Sequence, residues 1–464
     1  MKYLRRTMLL LGLLPVIACA EPGSQRVVIP ERIARSANAL ATTGIAPAVV
    51  IAMVSDGQSA VAGYGKLADG EPPNAQTVFQ IGSVTKTFTA LLLARDVHKG
   101  SLSLDTPAAD LLPGFTLPTR DGKAITLGLL AEQSSGLPRL ATNMDETSLV
   151  DPYAQYNAVK LKQFLASYKM TSTPGREYAY SNLGYGLLGY ALSVHADTSY
   201  GALLEKDILR PLALTSTGVT RTGAVLPPAV RKRLAPGHGM QGQPAGLWHF
   251  QSATAGAGTL YSDAHDLLVY LKANMGLDAT PLSVAMKLAH TPRRAASHLG
   301  RVGLGWLTTP SPDGDIIWHN GAVGGYSAFF GFRADGKCGV VVLANSLEAA
   351  QDVTELGMAA LSQNLPVPTI INAKAIVLPS NLLEGYAGKY TLAPGFVLTV
   401  FLKGGQLYGQ ATGQGAFPLD ASARDAYFNK VAGIRIDFRR NAKGKVDALV
   451  LHQLGHTTDA PRQP

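Results

Sequence analysis

The sequence predicts an α/β (α+β) protein in which early and late strands join one antiparallel sheet around a long helical insert, with a small all-β barrel at the C-terminal end. Three observations carry this. Short β-rich runs stand at both ends of residues 40–364 and bracket a stretch of helical periodicity. Residues 365–380 hold three prolines and read as a linker. Beyond them, residues 386–454 alternate apolar and polar side chains in short runs separated by turns, the pattern of an all-β unit, with an immunoglobulin-like sandwich as the alternative to a barrel. The expected division is residues 1–20 as signal peptide, 21–364 as the mixed domain, 365–380 as linker and 381–464 as the β domain.

The first twenty residues carry three cations, an apolar run over residues 8–18 and the small-residue exit Ala18-Cys19-Ala20, which is the make-up of a secretory signal. Cleavage after Ala20 and export to the periplasm follow as the expectation. Val16-Ile17-Ala18-Cys19 also resembles a bacterial lipobox, in which Cys19 would carry a lipid anchor. The apolar run is shorter than the roughly 20 residues of a transmembrane helix, and none is expected elsewhere. Cys338 is the only other cysteine and is expected at a buried strand position, so no intrachain disulfide survives loss of the leader.

Residues 48–54 and 59–64 flank Asp56-Gly57, a hairpin signature. A strand-like run at 77–81 passes through Gly82 into a helix that starts at Ser83 and ends near Gly100. Helices are expected around 182–196, 200–212 and 263–273. Strands return at 303–307, 316–319, 327–332 and 339–344, followed by a helix over about 347–361.

Three short patterns could carry chemistry. In Ser83-Val84-Thr85-Lys86 the i, i+3 spacing puts both side chains on one helix face, so Lys86 can approach the Ser83 hydroxyl at a helix N-terminus with free N–H groups. Serine is a weak nucleophile until a neighbouring base takes its proton. By itself the pair also fits an N-cap serine beside a surface lysine. Tyr180-Ser181-Asn182 sits on a loop ahead of a helix, where a phenol can relay a proton and an amide can orient the lysine and a substrate amide. It equally fits a packed tyrosine followed by an N-cap asparagine. His319-Asn320-Gly321, followed by Ala322, lies on a late strand where glycine allows close backbone approach, and an N–H at Ala322 could pair with that of Ser83 as an oxyanion hole.

In the order S-x-x-K, Y-x-N, H-x-G, the three patterns resemble the serine β-lactamase and penicillin-binding protein superfamily, nearest to class C β-lactamases, D-alanyl-D-alanine peptidases, D-aminopeptidases and related esterases. Supporting stretches are Gln80-Ile81-Gly82-Ser83, Ser135-Gly136-Leu137-Pro138, Pro174-Gly175, Pro211-Leu212, Ala257-Gly258-Thr259-Leu260-Tyr261-Ser262 and Gly303-Leu304-Gly305-Trp306. The resemblance implies an antiparallel sheet flanked by helices plus an all-helical region, with the site between them. It implies Ser83 as acylated nucleophile, Lys86 and Tyr180 as the proton-handling pair with either as acylation base, and Asn182, His319, Asn320, Gly321 and Ala322 as substrate-binding residues. Ser83 and Ala322 would supply the oxyanion hole. Implied substrates are β-lactams, peptidoglycan stem peptides or small esters.

Two departures stand out. The third motif is Lys-Thr-Gly in class C β-lactamases, where the cation helps bind a carboxylate; a histidine with a pKa near 6.5 would be only partly charged at neutral pH. Gln133 stands where many relatives have histidine. The C-terminal unit, with Tyr386-Ala387-Gly388-Lys389-Tyr390, looks like the lipocalin-like modules appended to some of these hydrolases.

Other classes fit poorly. The net charge is +9, or +6 without the leader's cations, and the densest basic run, Arg231-Lys232-Arg233, lacks interleaved aromatics, so nucleic acid is not an expected partner. No H-E-x-x-H or Cys/His cluster is present, and neither metal nor cofactor is expected. G-x-S-x-G is absent, and the glycines of residues 184–189, which match G-x-G-x-x-G, read better as close helix packing. The alternative to turnover is a penicillin- or peptidoglycan-binding sensor. Nothing in the sequence specifies an oligomeric state.

Overall fold

The structure is a computed structural model that describes residues 27–144, 150–368, 370, 375–412, 415–429, 434–453 and 456–464. The leader and Cys19 lie outside the described residues. Among the described residues, no helix is long and apolar enough to cross a membrane.

The strand Ala48–Ser55 is buried over all but its last residue, because it lies inside an eight-stranded antiparallel sheet and both its faces are covered. Its neighbours are Gln58–Gly65, across the Asp56-Gly57 turn, and Cys338–Ala344, with Val49 opposite Ala344. The sheet continues through Tyr326–Arg333, Ile316–Val323, Leu307–Thr309, Arg301–Val302 and Arg294–Ala295. Early and late strands thus join as expected.

Alternation along the strand sorts its side chains into two cores. Val49, Ile51 and Met53 pack with the outer helices Glu31–Thr42 and Ala350–Leu361. Val50, Ala52 and Val54 join the larger core shared with the helices Thr85–His98 and Ala264–Met275. The helix Thr85–His98 is buried nearly all round, with Phe88 stacked on Tyr270 at 4.0 Å between ring centres. It is the central post between sheet and helical region.

The helical region includes Leu127–Ala131, Ala158–Ser167, Asn182–His195 and Tyr200–Leu204. The helix Asn182–His195 lies against Ala255–Gly258 so closely that a Cβ on Gly186 would sit 2.4 Å from the Ala253 carbonyl oxygen, and one on Gly189 would sit 2.8 Å from the Gly256 Cα. Those glycines serve helix contact.

Some elements differ from expectation. Residues 303–306 form a loop between Arg301–Val302 and Leu307–Thr309, because Gly305 adopts a positive φ beside the Lys86 carbonyl. The helix beginning at Tyr200 widens into a π-turn over Glu205–Leu209 before Pro211, which has no N–H to continue the ladder. Cys338 opens its strand and is half-buried rather than fully buried.

Among the described residues, the C-terminal unit has eight strands, from Gly388–Ala393 to His456–Pro461, each antiparallel to the next. Tyr390 and Arg462 bridge the first strand to the chain just after the last, so the sheet curls into a nearly closed barrel rather than a sandwich. Tyr386, Tyr390, Tyr427 and Phe438 fill its core, which shares no residue with the other two cores. Leu365, Val367 and Ile370 instead pack on the outer sheet core. A chain ending after residue 370 is therefore expected to stay folded and to label at Ser83, as checked by circular dichroism and intact mass. An insoluble or unreactive product would overturn that independence.

Candidate active site

The strand Val78–Gln80 runs into Gly82, whose φ of +52° turns the chain into a single 3₁₀ turn, Gly82–Val84, continued by the helix Thr85–His98. Ser83 lies on the cavity wall at this turn. Lys86, one turn on, is completely buried, and its Nζ lies 2.9 Å from Ser83 Oγ, 2.8 Å from Asn182 Oδ1 and 2.7 Å from the Ala257 carbonyl oxygen. The second and third partners can only accept. A neutral amine that donates to both has its lone pair left for Ser83. Burial, reinforced by the nearby Arg139 charge, pushes the Lys86 pKa well below the ordinary lysine range, toward that neutral form.

Tyr180 OH donates to Ser83 Oγ at 2.7 Å, so the hydroxyl meets a phenol and an amine at once. Burial drives the Tyr180 pKa far up, and the phenol stays protonated. The loop carrying it is fixed on both sides by Gln133: its side-chain oxygen accepts from the Ser181 N–H and its carbonyl from the Ala179 N–H, both at 2.7 Å. Ser181, not Asn182, caps the following helix through Gly184 N–H at 2.8 Å. Asn182 is thereby free to receive Lys86 and to donate to Tyr153 OH at 2.9 Å.

The strand Ile316–Val323 forms the third wall. A Cβ on Gly321 would sit 2.0 Å from the Ile81 carbonyl oxygen and 2.9 Å from Ser83 N, and one on Gly82 would sit 2.8 Å from Ala322 N. The amides of Ser83 and Ala322 therefore both lie where this strand meets the Ser83 turn. Asn320 lines the cavity, but its side-chain amide donates to Thr354 Oγ1 on the outer helix at 3.0 Å. His319 is 4% exposed, with its ring 6.2 Å from that of Tyr180. Burial, with the Lys86 charge adding to it, lowers its pKa to about 3, so the ring is neutral rather than partly charged as its ordinary pKa suggested. Its Nδ1 donates to the Asn320 carbonyl oxygen at 2.6 Å, which leaves Nε2 as an acceptor.

A cavity of about 830 Å³ opens over Ser83, lined also by Tyr153, Tyr178, Tyr180, Trp248 and Phe250. Tyr153 stacks on Phe250 at 4.7 Å, and the Trp248 backbone is held by both ends of the Gln80 amide. Sequence reasoning missed Tyr153, Trp248, the Ala257 carbonyl and Arg139. Arg139 directly follows Ser135-Gly136-Leu137-Pro138, and that adjacency was the one available signal.

Because no Cβ fits at Gly321, Gly321→Ala is expected to push the strand off the nucleophile turn and misplace the Ala322 amide. Loss of one oxyanion donor costs about 10²–10³ in rate. Acylation of Ser83 should slow by about that factor in stopped-flow assays; an unchanged rate would remove this strand from the site.

A buried amine and a phenol thus converge on one serine, beside two backbone amides and between a sheet and a helical region. The family model described as beta-lactamase matches residues 34–365, and the chain belongs to that family. Residues 372–461 match a domain of unknown function, DUF3471. Among curated proteins, the human beta-lactamase-like 1 is 28% identical over 66% of this chain and 62% of its own length, so the chain spans under two thirds of that relative. The D-alanyl-D-alanine-carboxypeptidase/endopeptidase AmpH of Escherichia coli K12 is 25% identical over 64% of this chain and 79% of its own. Among solved structures, the octameric penicillin-binding protein homologue from Pyrococcus abyssi has a TM-score of 0.64 at 22% identity, covering 93% of this chain and 99% of that one. That likeness extends the shared fold through the barrel.

Proposed function

We propose that the protein is an exported serine hydrolase that forms an acyl-enzyme on Ser83 and cleaves β-lactam amides or D-alanyl-D-alanine-type peptides. The observation that carries the reading is the pair of hydrogen-bond contacts at Ser83 Oγ, with Lys86 Nζ at 2.9 Å and Tyr180 OH at 2.7 Å. The carboxypeptidase/endopeptidase name of AmpH supports the peptide branch.

In this reading neutral Lys86 takes the Ser83 proton as Oγ attacks the carbonyl carbon, and the Ser83 and Ala322 amides hold the oxygen that gains charge. As the C–N bond breaks, the Tyr180 phenol protonates the leaving nitrogen and the Lys86 ammonium returns a proton to Tyr180. Water then attacks the ester, passing its proton through the same pair, and Ser83 Oγ leaves protonated. Asn182 holds the amine through its side-chain oxygen, and the neutral His319 ring lies 6.2 Å from that of Tyr180. Small-ester hydrolysis is the variant reading, since the same steps serve an alkoxide leaving group.

The test is incubation with benzylpenicillin while intact mass and drug concentration are followed together, with peptide mapping of any adduct. A persistent adduct on the Ser83 peptide indicates a penicillin-binding peptidase or sensor. Drug consumed without accumulating adduct indicates a β-lactamase. An inert drug moves the reading to D-aminopeptidase or esterase substrates. An adduct mapped away from Ser83 would refute the assignment.

A further inference from the structure

We infer that Arg139 receives the charged end of the substrate, so that the cleft selects acyl donors bearing a carboxylate over neutral ones and over those presenting an ammonium. This rests on the acyl-enzyme reading above and adds a specificity residue to it. The third wall offers no cation, because His319 is buried and does not line the cavity. Lys86 is sealed behind Ser83 with its three partners. Among the described residues that line the cavity, Arg139 is the one with a fixed positive charge.

Its placement suits the role. The guanidinium lies 5.1 Å from the centre of the Tyr180 ring, one tyrosine away from the nucleophile. Its own carbonyl accepts from the Asn182 and Leu183 N–H groups at 3.1 and 3.2 Å, so the backbone that presents it is fastened to the helix carrying Asn182. The side chain is exposed and, among the described residues, has no carboxylate partner. Among the described carboxylates, Asp151 faces His249 at 2.8 Å, and Glu132 is held by Arg293 and Arg294. A forked, always-charged donor over an aromatic face, with no carboxylate partner among the described residues and set on an open cavity, is suited to take a carboxylate in two parallel hydrogen bonds.

The test uses two aryl esters that differ by one ring carboxylate, 3-carboxyphenyl phenylacetate and phenyl phenylacetate, on the full-length protein and its Arg139→Gln and Arg139→Lys variants. The readout is the ratio of kcat/KM for the acid over the neutral ester, which cancels any change in Lys86 basicity that both substrates share. The wild type should prefer the acid. The ratio should fall by about 10- to 100-fold in Arg139→Gln, mostly through KM, and recover in part in Arg139→Lys. A ratio unmoved by Arg139→Gln, or a wild type with no preference, overturns the inference while leaving Ser83 chemistry intact. If neither ester acylates Ser83 in the wild type, the acyl-enzyme reading falls, and this inference with it.

Discussion

Ser83→Ala should yield a folded protein that forms no adduct with benzylpenicillin or an aryl ester and whose hydrolysis falls by about 10⁴-fold or more. Removing a nucleophile leaves only the rate enhancement from binding and oxyanion stabilisation, so the loss spans most of the catalytic power. The structural cost is small. Ser83 Oγ accepts from Tyr180 OH and faces the Lys86 amine; its removal leaves Lys86 with Asn182 and the Ala257 carbonyl, and Tyr180 OH on the open cavity. The variant should therefore melt close to the wild type and still bind drug reversibly. Normal turnover by Ser83→Ala would falsify the assignment of this turn as the reactive centre.

Lys86→Ala is expected to slow acylation by about 10²- to 10⁴-fold, the span of general-base contributions. It should also destabilise the site, because the Asn182 side-chain oxygen and the Ala257 carbonyl lose their donor; each unsatisfied acceptor costs about 1–3 kcal/mol. The pH profile separates these effects. Burial favours the neutral amine, so the wild-type acylation rate should fall as pH drops through the lowered Lys86 pKa, where a proton occupies the lone pair. Tyr180 stays protonated throughout this range, and His319, with a pKa of about 3, adds no transition near 6.5. The acid limb should vanish in Lys86→Ala; its persistence would transfer the base role to another group.

What the sequence disclosed divides along local and tertiary lines. The Ser83–Lys86 relation was legible because a helix fixes i, i+3 geometry without help from the rest of the chain. The strands at 48–54 and 339–344 were legible from apolar runs bounded by turns. Tyr180, Asn182 and His319 gained meaning only from their order along the chain. Tyr153 and Trp248 were invisible, because an aromatic that lines a cleft reads like one that fills a core. The acceptor role of Ala257 lies in its backbone and leaves no trace in residue identity. The charge state of His319 depends on burial, which no motif records. The loop at 303–306 was read as strand because an apolar alternation there hid a glycine with positive φ.

The pairing of Val49 with Ala344 also sets a timetable. The apolar strand Ala48–Ser55 leaves the ribosome with only its hairpin partner Gln58–Gly65, and its other edge waits for a segment made nearly 300 residues later. At about 5–20 residues per second that edge stays open for tens of seconds, during which its bare amides and carbonyls are a template for any passing strand. Native closure must also overcome the entropy of a very long loop, so the hydrolase sheet should assemble slowly and only after synthesis is nearly complete.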